Sequence, residues 1–97
     1  MIYHVTEAFS WEEYSRKDHY KPENFGKEGF IHCCYREQLN GVLDRYFKNK
    51  VNLVVLFIDE NLLQPEVKLE EGPTKELFPH VYGLINKEAV VKVERIS

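Results

Sequence analysis

Leu53-Val54-Val55-Leu56-Phe57-Ile58 is the stretch on which the fold turns. It does not alternate between apolar and polar, and it is rich in β-branched residues. An unbroken apolar run this short suits a central β-strand covered on both faces. The rest of the chain is read outward from it. On the C-terminal side, Val67 to Glu71 alternates as a short strand and stops at Gly72-Pro73. Leu77 to Gly83 reads as irregular around Pro79, Asn86 to Glu88 as a turn, and Ala89 to Ile96 as a closing strand. The two alternating strands, 67–71 and 89–96, are candidate sheet edges, and an exposed edge permits dimerisation. The oligomeric state is left open.

On the N-terminal side, Gln38 to Phe47 carries the clearest helical signal. Leu39, Val42, Leu43, Tyr46 and Phe47 follow the i, i+3, i+4, i+7, i+8 rule and make one apolar stripe. Gly41 inside it costs about 1 kcal/mol against alanine, so packing offsets that or something approaches the helix closely there. Phe30 to Tyr35 reads as a strand with Phe30, His32 and Cys34 on one face. Asp18 to Gly29 is polar, with Pro22, Gly26 and Gly29, and reads as a long loop. Ser10-Trp11-Glu12-Glu13 reads as a capping box opening a short helix, with Phe9 and Tyr14 placed to staple it. Ile2 to Thr6 alternates as the first strand, with Ile2, His4 and Thr6 on one face and Tyr3 and Val5 on the other. The sum is a compact single α+β domain over residues 1–97, with about two helices and five or more strands.

Composition bounds the function. A chain of 97 residues buries one core. The formal net charge of −3 supplies no basic excess, which disfavours a nucleic-acid partner and a polybasic membrane anchor. The longest apolar run falls far short of the ~20 residues that span a bilayer, and the N-terminus lacks the pattern of a signal peptide. The 2 cysteines are neighbours and make no disulfide framework. A reducing cytoplasm is the expected compartment.

Chemistry concentrates in two short aromatic and histidine motifs, Glu28-Gly29-Phe30-Ile31-His32-Cys33-Cys34 and Phe78-Pro79-His80-Val81-Tyr82-Gly83, with His4 as a third imidazole. Each histidine has an ordinary alternative as a core residue satisfied by backbone groups. If they converge, they line one pocket, since imidazole donates, accepts and titrates near neutral pH. A metal site is not expected: no two histidines stand at the usual close spacing and no Cys-x-x-Cys exists. A cysteine nucleophile is also disfavoured. Cys33 lies on the opposite strand face from His32, and Cys34 lies ~6.5–7 Å along the strand from it. Glu66, Glu70, Glu71 and Glu76 read as a solvated run, whereas Glu28 abuts the histidine strand. The aromatic residues Trp11, Tyr20, Phe30, Phe78 and Tyr82 are core or walls of a small-molecule pocket. No glycine-rich phosphate loop is present.

The ordered set Ile2-Tyr3-His4-Val5-Thr6, Trp11, Tyr20-x-Pro22, Glu28 to Cys33, Gln38, Phe78 to Gly83 and Ala89-Val90-Val91 resembles the bacterial and plant family called domain of unknown function 952. The resemblance implies a fold like that of the ADP-ribosyltransferases, with two small sheets around a cleft that holds NAD in the true enzymes. His4-Val5-Thr6 is similar to the first-strand His-Gly or His-Thr signature, whose histidine contacts a ribose. Ile31-His32-Cys33 is similar to the His-Leu-Ser strand motif of the tRNA 2′-phosphotransferases. The chain departs from these patterns in three places. Cys34 stands where family members often carry serine, Phe78-Pro79-His80 occupies the region of the catalytic glutamate, and the phosphotransferase arginines have no counterparts.

Three readings follow. The first is a module binding a nucleotide or NAD-type small ligand, with His4, Thr6, Phe30, His32, His80 and Tyr82 around the cleft and Trp11 as a further wall. No obligate cofactor is implied beyond that ligand. The second is a transferase or hydrolase on such a nucleotide, with His32 or His80 as general acid–base. The third is a non-catalytic interaction domain whose motifs only pack the core.

Overall fold

The computed structural model describes residues 1–96. Its elements are β1 (Ile2–Glu7), α1 (Ala8–Glu12), β2 (His19–Tyr20), α2 (Phe25–Glu28), β3 (Ile31–His32), α3 (Leu39–Tyr46), β4 (Leu53–Ile58), β5 (Glu66–Glu71), β6 (Leu77–Tyr82), β7 (Ile85–Asn86) and β8 (Val90–Arg95), with short 3₁₀ turns between several of them. β4 lies between β1 and β8 and runs antiparallel to both. Its unbroken apolar composition is explained by what covers it. Val54, Leu56 and Ile58 face a core that holds Ile2, Tyr20, Ile31, Val81 and Ile85. Val55 faces a second cluster of Tyr3, Val5, Cys34 and Phe78, against which the α3 residues Leu39, Val42, Leu43 and Phe47 pack. Tyr46 shares the helical spacing but stays exposed.

A second three-stranded sheet has the order β3-β6-β5, and β2 pairs β7 as a two-stranded ribbon. The expected small α+β domain with strands in small sheets is present. Among the described residues it has three α-helices rather than two and a ribbon beyond the two main sheets. β5 and β8 are both edges of their sheets. Among the described residues, no helix is long and apolar enough to cross a membrane.

Several local expectations are corrected. The helix at Ser10 starts one turn earlier, at Ala8, because the Ala8 amide donates to the Asn52 carbonyl at 2.7 Å and anchors the helix on the entry to β4. Ser10 therefore lies inside the helix and Glu13 is its C-cap, so no capping box forms. Phe9 is exposed, and Tyr14 packs edge-on against Tyr20 instead of stapling to it. The segment 18–29 is not one loop, since it contains β2 and α2. The turn at 86–88 becomes the end of β7 and a 3₁₀ turn over Lys87–Ala89.

The largest correction concerns Pro79, which sits fully buried inside a regular central strand. The ladder accommodates it at the place where β3 ends. Cys33 donates its amide to the Pro79 carbonyl at 3.1 Å, and a proline has no N–H to return. The 30–35 segment leaves the second sheet there. Cys34 instead exchanges two backbone hydrogen bonds of 2.8 Å with Tyr3 of β1. The expected strand from Phe30 to Tyr35 is thus divided between two sheets, and only Ile31–His32 forms β3.

Two glycines make opposite predictions. A Cβ on Gly83 would stand 2.6 Å from Cβ of Pro65, a rigid ring that cannot turn away. Gly83→Ala should destabilise by about 1–3 kcal/mol. On Gly41 the nearest atom is Nη1 of Arg45, at 3.3 Å, the far end of an exposed flexible side chain. This guanidinium is the close approach that Gly41 signals, and it can move. Gly41→Ala should stabilise by about 0.5–1 kcal/mol. Urea unfolding of both variants checks the pair, and equal signs would contradict the packing described.

Candidate functional site

The register of β3 on β6 pairs Ile31 with Val81 and His32 with His80. Side chains alternate across a strand. Ile31 and Val81 are fully buried in the core, so His32 and His80 point to the opposite face. Phe30 and Tyr82, two residues from each, share that face. The rings touch: Phe30 stacks on His80 with centroids 4.3 Å apart and planes at 21°. His32 meets His80 edge-on at 5.1 Å, and Tyr82 lies 5.3 Å from Phe30.

Each of these two imidazoles is held by its own carboxylate. Gly29, with φ of 80°, closes α2 in the left-handed conformation and turns the chain into β3. That turn brings Glu28 back over the strand, and His32 Nε2 donates to Glu28 Oε2 at 2.8 Å. On β5, Lys68 is the cross-strand partner of His80, which makes Glu70 its diagonal neighbour on the same face. Glu70 Oε1 accepts from His80 Nδ1 at 2.8 Å and from the Tyr82 hydroxyl at 2.6 Å. These two bonds, the tyrosine's first, lower the Glu70 carboxyl below its usual range and keep it an anion.

Across from this face, β1 contributes His4 and Thr6, both buried. His4 donates from Nδ1 to the carbonyl of His32 at 2.6 Å, and its Nε2 accepts from the Tyr20 hydroxyl at 3.0 Å. His4, Thr6, Phe30, His32 and His80 all line one cleft of about 730 Å³ between the two three-stranded sheets. The imidazoles therefore gather around one hollow, but they do so unequally. His4 has both ring nitrogens engaged inside the protein. His80 is 7% exposed, and its Nε2 has no protein partner among the described residues. His32 leaves Nδ1 without one. Tyr82 stands on the same sheet face but does not line the cleft. Trp11 is not a wall of it either: it packs on Tyr20 at 5.7 Å, with Lys87 Nζ over its ring. Tyr20, expected as core or pocket wall, is the partner of His4 Nε2, and Glu70, read as part of a solvated run, is the partner of His80 Nδ1. Glu28 carried a readable signal in its spacing of four from His32, whereas Glu70 depends on how β5 pairs with β6.

A family model described as "Protein of unknown function (DUF952)" matches residues 5–93. The chain belongs to the DUF952 family. Two crystal structures of protein CC0527 from Caulobacter crescentus, one of them a double mutant, share its fold. Each superposes with a TM-score of 0.89 and covers 99% of this chain and 85% of the other. Their sequences are 22% and 23% identical to it, so the likeness is one of fold alone. No curated protein matches.

Burial sets the titration of this DUF952 domain. Desolvation lowers His4 from 6.5 to about 4, and the bond to the His32 carbonyl only partly opposes it. Burial also pushes the Tyr20 hydroxyl up to about 12. Both cysteines are free and buried. Burial raises the Cys33 thiol well above its ordinary value and Cys34 to about 11. A nucleophilic thiolate is therefore disfavoured at neutral pH. Among the described residues, no three His, Cys, Asp or Glu side chains are grouped so as to hold a metal ion.

Two predictions follow from these groups. Because the folded pKa of His4 lies below its unfolded value, the unfolded chain binds the extra proton first as pH falls. The stabilising contribution is complete above about 6.5 and is lost as pH drops through about 4. It amounts to up to about 3 kcal/mol. The stability advantage of wild type over His4→Gln, measured by urea unfolding, should shrink between pH 7 and pH 4, whereas a pH-independent difference would mean that His4 is not held neutral. For the thiols, Ellman's reagent at pH 7.5 should leave both unmodified in the folded protein and label both in urea. Rapid native labelling would contradict their burial.

Proposed function

We propose that this DUF952 protein binds a small planar ligand of the nucleoside or NAD type in the cleft between its sheets. The observation that carries the reading is the ring cluster on one wall. Phe30, half-buried and stacked on His80, gives a planar group a surface to lie against, and imidazole nitrogens without protein partners stand beside it. Apolar walls with a few placed polar groups are the usual makeup of a small-molecule site. Within this proposal His4, Thr6, Phe30, His32 and His80 form the site and Tyr82 supports it through Glu70. The fold is then of the ADP-ribosyltransferase type, with the cleft in the place of the nucleotide site. The two free thiols accord with a reducing cytoplasm.

One observation favours a catalytic variant of this reading. Glu70 holds His80 through Nδ1, which in the neutral ring leaves the lone pair on Nε2 toward the cleft. A carboxylate that fixes the tautomer in this way suits a general base.

Thermal melting with a panel of nucleosides, N-methylated nucleosides, NAD and ADP-ribose tests the proposal. A ligand at a hundred times its Kd stabilises by about 2.7 kcal/mol, so a member of the panel should raise the melting temperature by several degrees. Phe30→Ala and His32→Ala should abolish the rise while the protein stays folded. A flat response to the whole panel overturns the reading. A rise that survives both substitutions places the ligand elsewhere.

A further inference from the structure

The charge around the cleft narrows what it takes. Its lining includes four carboxylates, Glu7, Glu23, Glu28 and Glu71, against one ammonium, that of Lys50, and no arginine among the described residues. A diphosphate would need guanidinium forks, a lysine cluster or the first turn of a substantial helix. The two helices that border the cleft through Pro22–Glu28 and Glu7–Ser10 are single turns, with no side-chain cap on either. The polar groups of the ring wall have the same polarity. In their neutral tautomers His80 Nε2 and His32 Nδ1 both accept, because the carboxylates of Glu70 and Glu28 take the other N–H of each ring. The wall therefore presents lone pairs and negative charge, next to an aromatic face that attracts cations. Lys68 lies over the Tyr82 ring at 4.7 Å and is not part of the lining.

Resting on the nucleoside reading above, we propose that the ligand's planar group is itself a cation with N–H donors, an N-alkylated nucleobase in a nucleoside, bound without a polyphosphate chain. Its ring lies against Phe30, its donors meet the free imidazole nitrogens, and Glu28, bonded to His32 beside them, offsets its charge. A polyphosphate would meet repulsion, with Lys50 the one compensating cation among the described lining residues.

Titration calorimetry at pH 7 with 1-methyladenosine, adenosine and ADP-ribose tests this. The methylated ring is cationic at that pH and adenosine is neutral. 1-Methyladenosine should bind roughly tenfold more tightly than adenosine, a difference of about 1.4 kcal/mol, and the preference should shrink as salt is raised. ADP-ribose should bind weakest. In Glu28→Gln, which keeps size, the ratio of the two nucleoside affinities should fall about threefold or more. Glu23→Gln, in the lining but outside the His32 contact, gives the same direction if Glu28→Gln is misfolded. Binding of ADP-ribose as tight as that of 1-methyladenosine overturns the cation assignment and leaves the planar-ligand reading standing, as does a preference that the glutamine variants leave untouched. Absence of binding by all three to the folded protein removes both.

Discussion

Four hydrogen bonds made within a three-residue stretch join the two halves of the molecule. The His32 carbonyl accepts from His4 Nδ1 at 2.6 Å, the Cys33 amide reaches the Pro79 carbonyl at 3.1 Å, and Cys34 exchanges two bonds of 2.8 Å with Tyr3. Residues 32–34 thereby belong to both three-stranded sheets at once. The cleft exists because the chain crosses between sheets here: one wall is β1, the other is the outward face of β3 and β6, and the crossing forms their common floor. The crossing is placed by a missing proton. Pro79 accepts from Cys33 but cannot reciprocate, so continuing β3 along β6 would leave the Cys33 carbonyl without a ladder partner on that strand. Pairing with β1 one residue later restores two good bonds. From Cys34 onward the segment is held by β1 and no longer by β6.

This constraint also explains what the sequence could reveal. The apolar run at 53–58, the alternation at 2–6 and 67–71 and the stripe at 39–47 are local patterns with a single burial solution, and each forms the element its period implies. Pro79 misleads because a proline in a strand ordinarily marks an edge or a break. Only the register on both neighbours shows that its absent N–H falls where a strand is ending. Ser10 misleads for a related reason. A capping box is a local device, and here a long-range bond from Ala8 to Asn52 fixes the helix start one turn earlier. The extra elements at 19–20 and 25–28 are too short to leave a period in the sequence.

The site was legible by residue type and illegible by role. His4, His32 and His80 announce themselves by chemistry, and they do line one cleft. Nothing in the sequence says that His4 faces Tyr20 with both nitrogens engaged while His80 keeps one free. That difference arises from depth. β1 is covered on both faces, so its imidazole is desolvated and neutral. The outward face of β6 is covered on one side only, so His80 reaches the cleft while remaining nearly buried. Glu70 was hidden for a geometric reason. Glu70 sits in a run of acidic residues whose plain reading is solvated surface, and only the diagonal of an antiparallel pair brings it to His80.

Pairing His32 and His80 each with a carboxylate has a consequence beyond orientation. An imidazole whose N–H is committed to glutamate can offer a ligand only a lone pair unless it takes up a proton. Arginine or lysine in the same positions would have reversed the polarity and suited a phosphate. The wall instead consists of acceptors and aromatic faces, bounded by further carboxylates. A ligand that satisfies it must bring donors and gains by bringing positive charge. On that argument the chemistry of the cleft is set less by the histidines than by Glu28 and Glu70, which fix what those histidines can do.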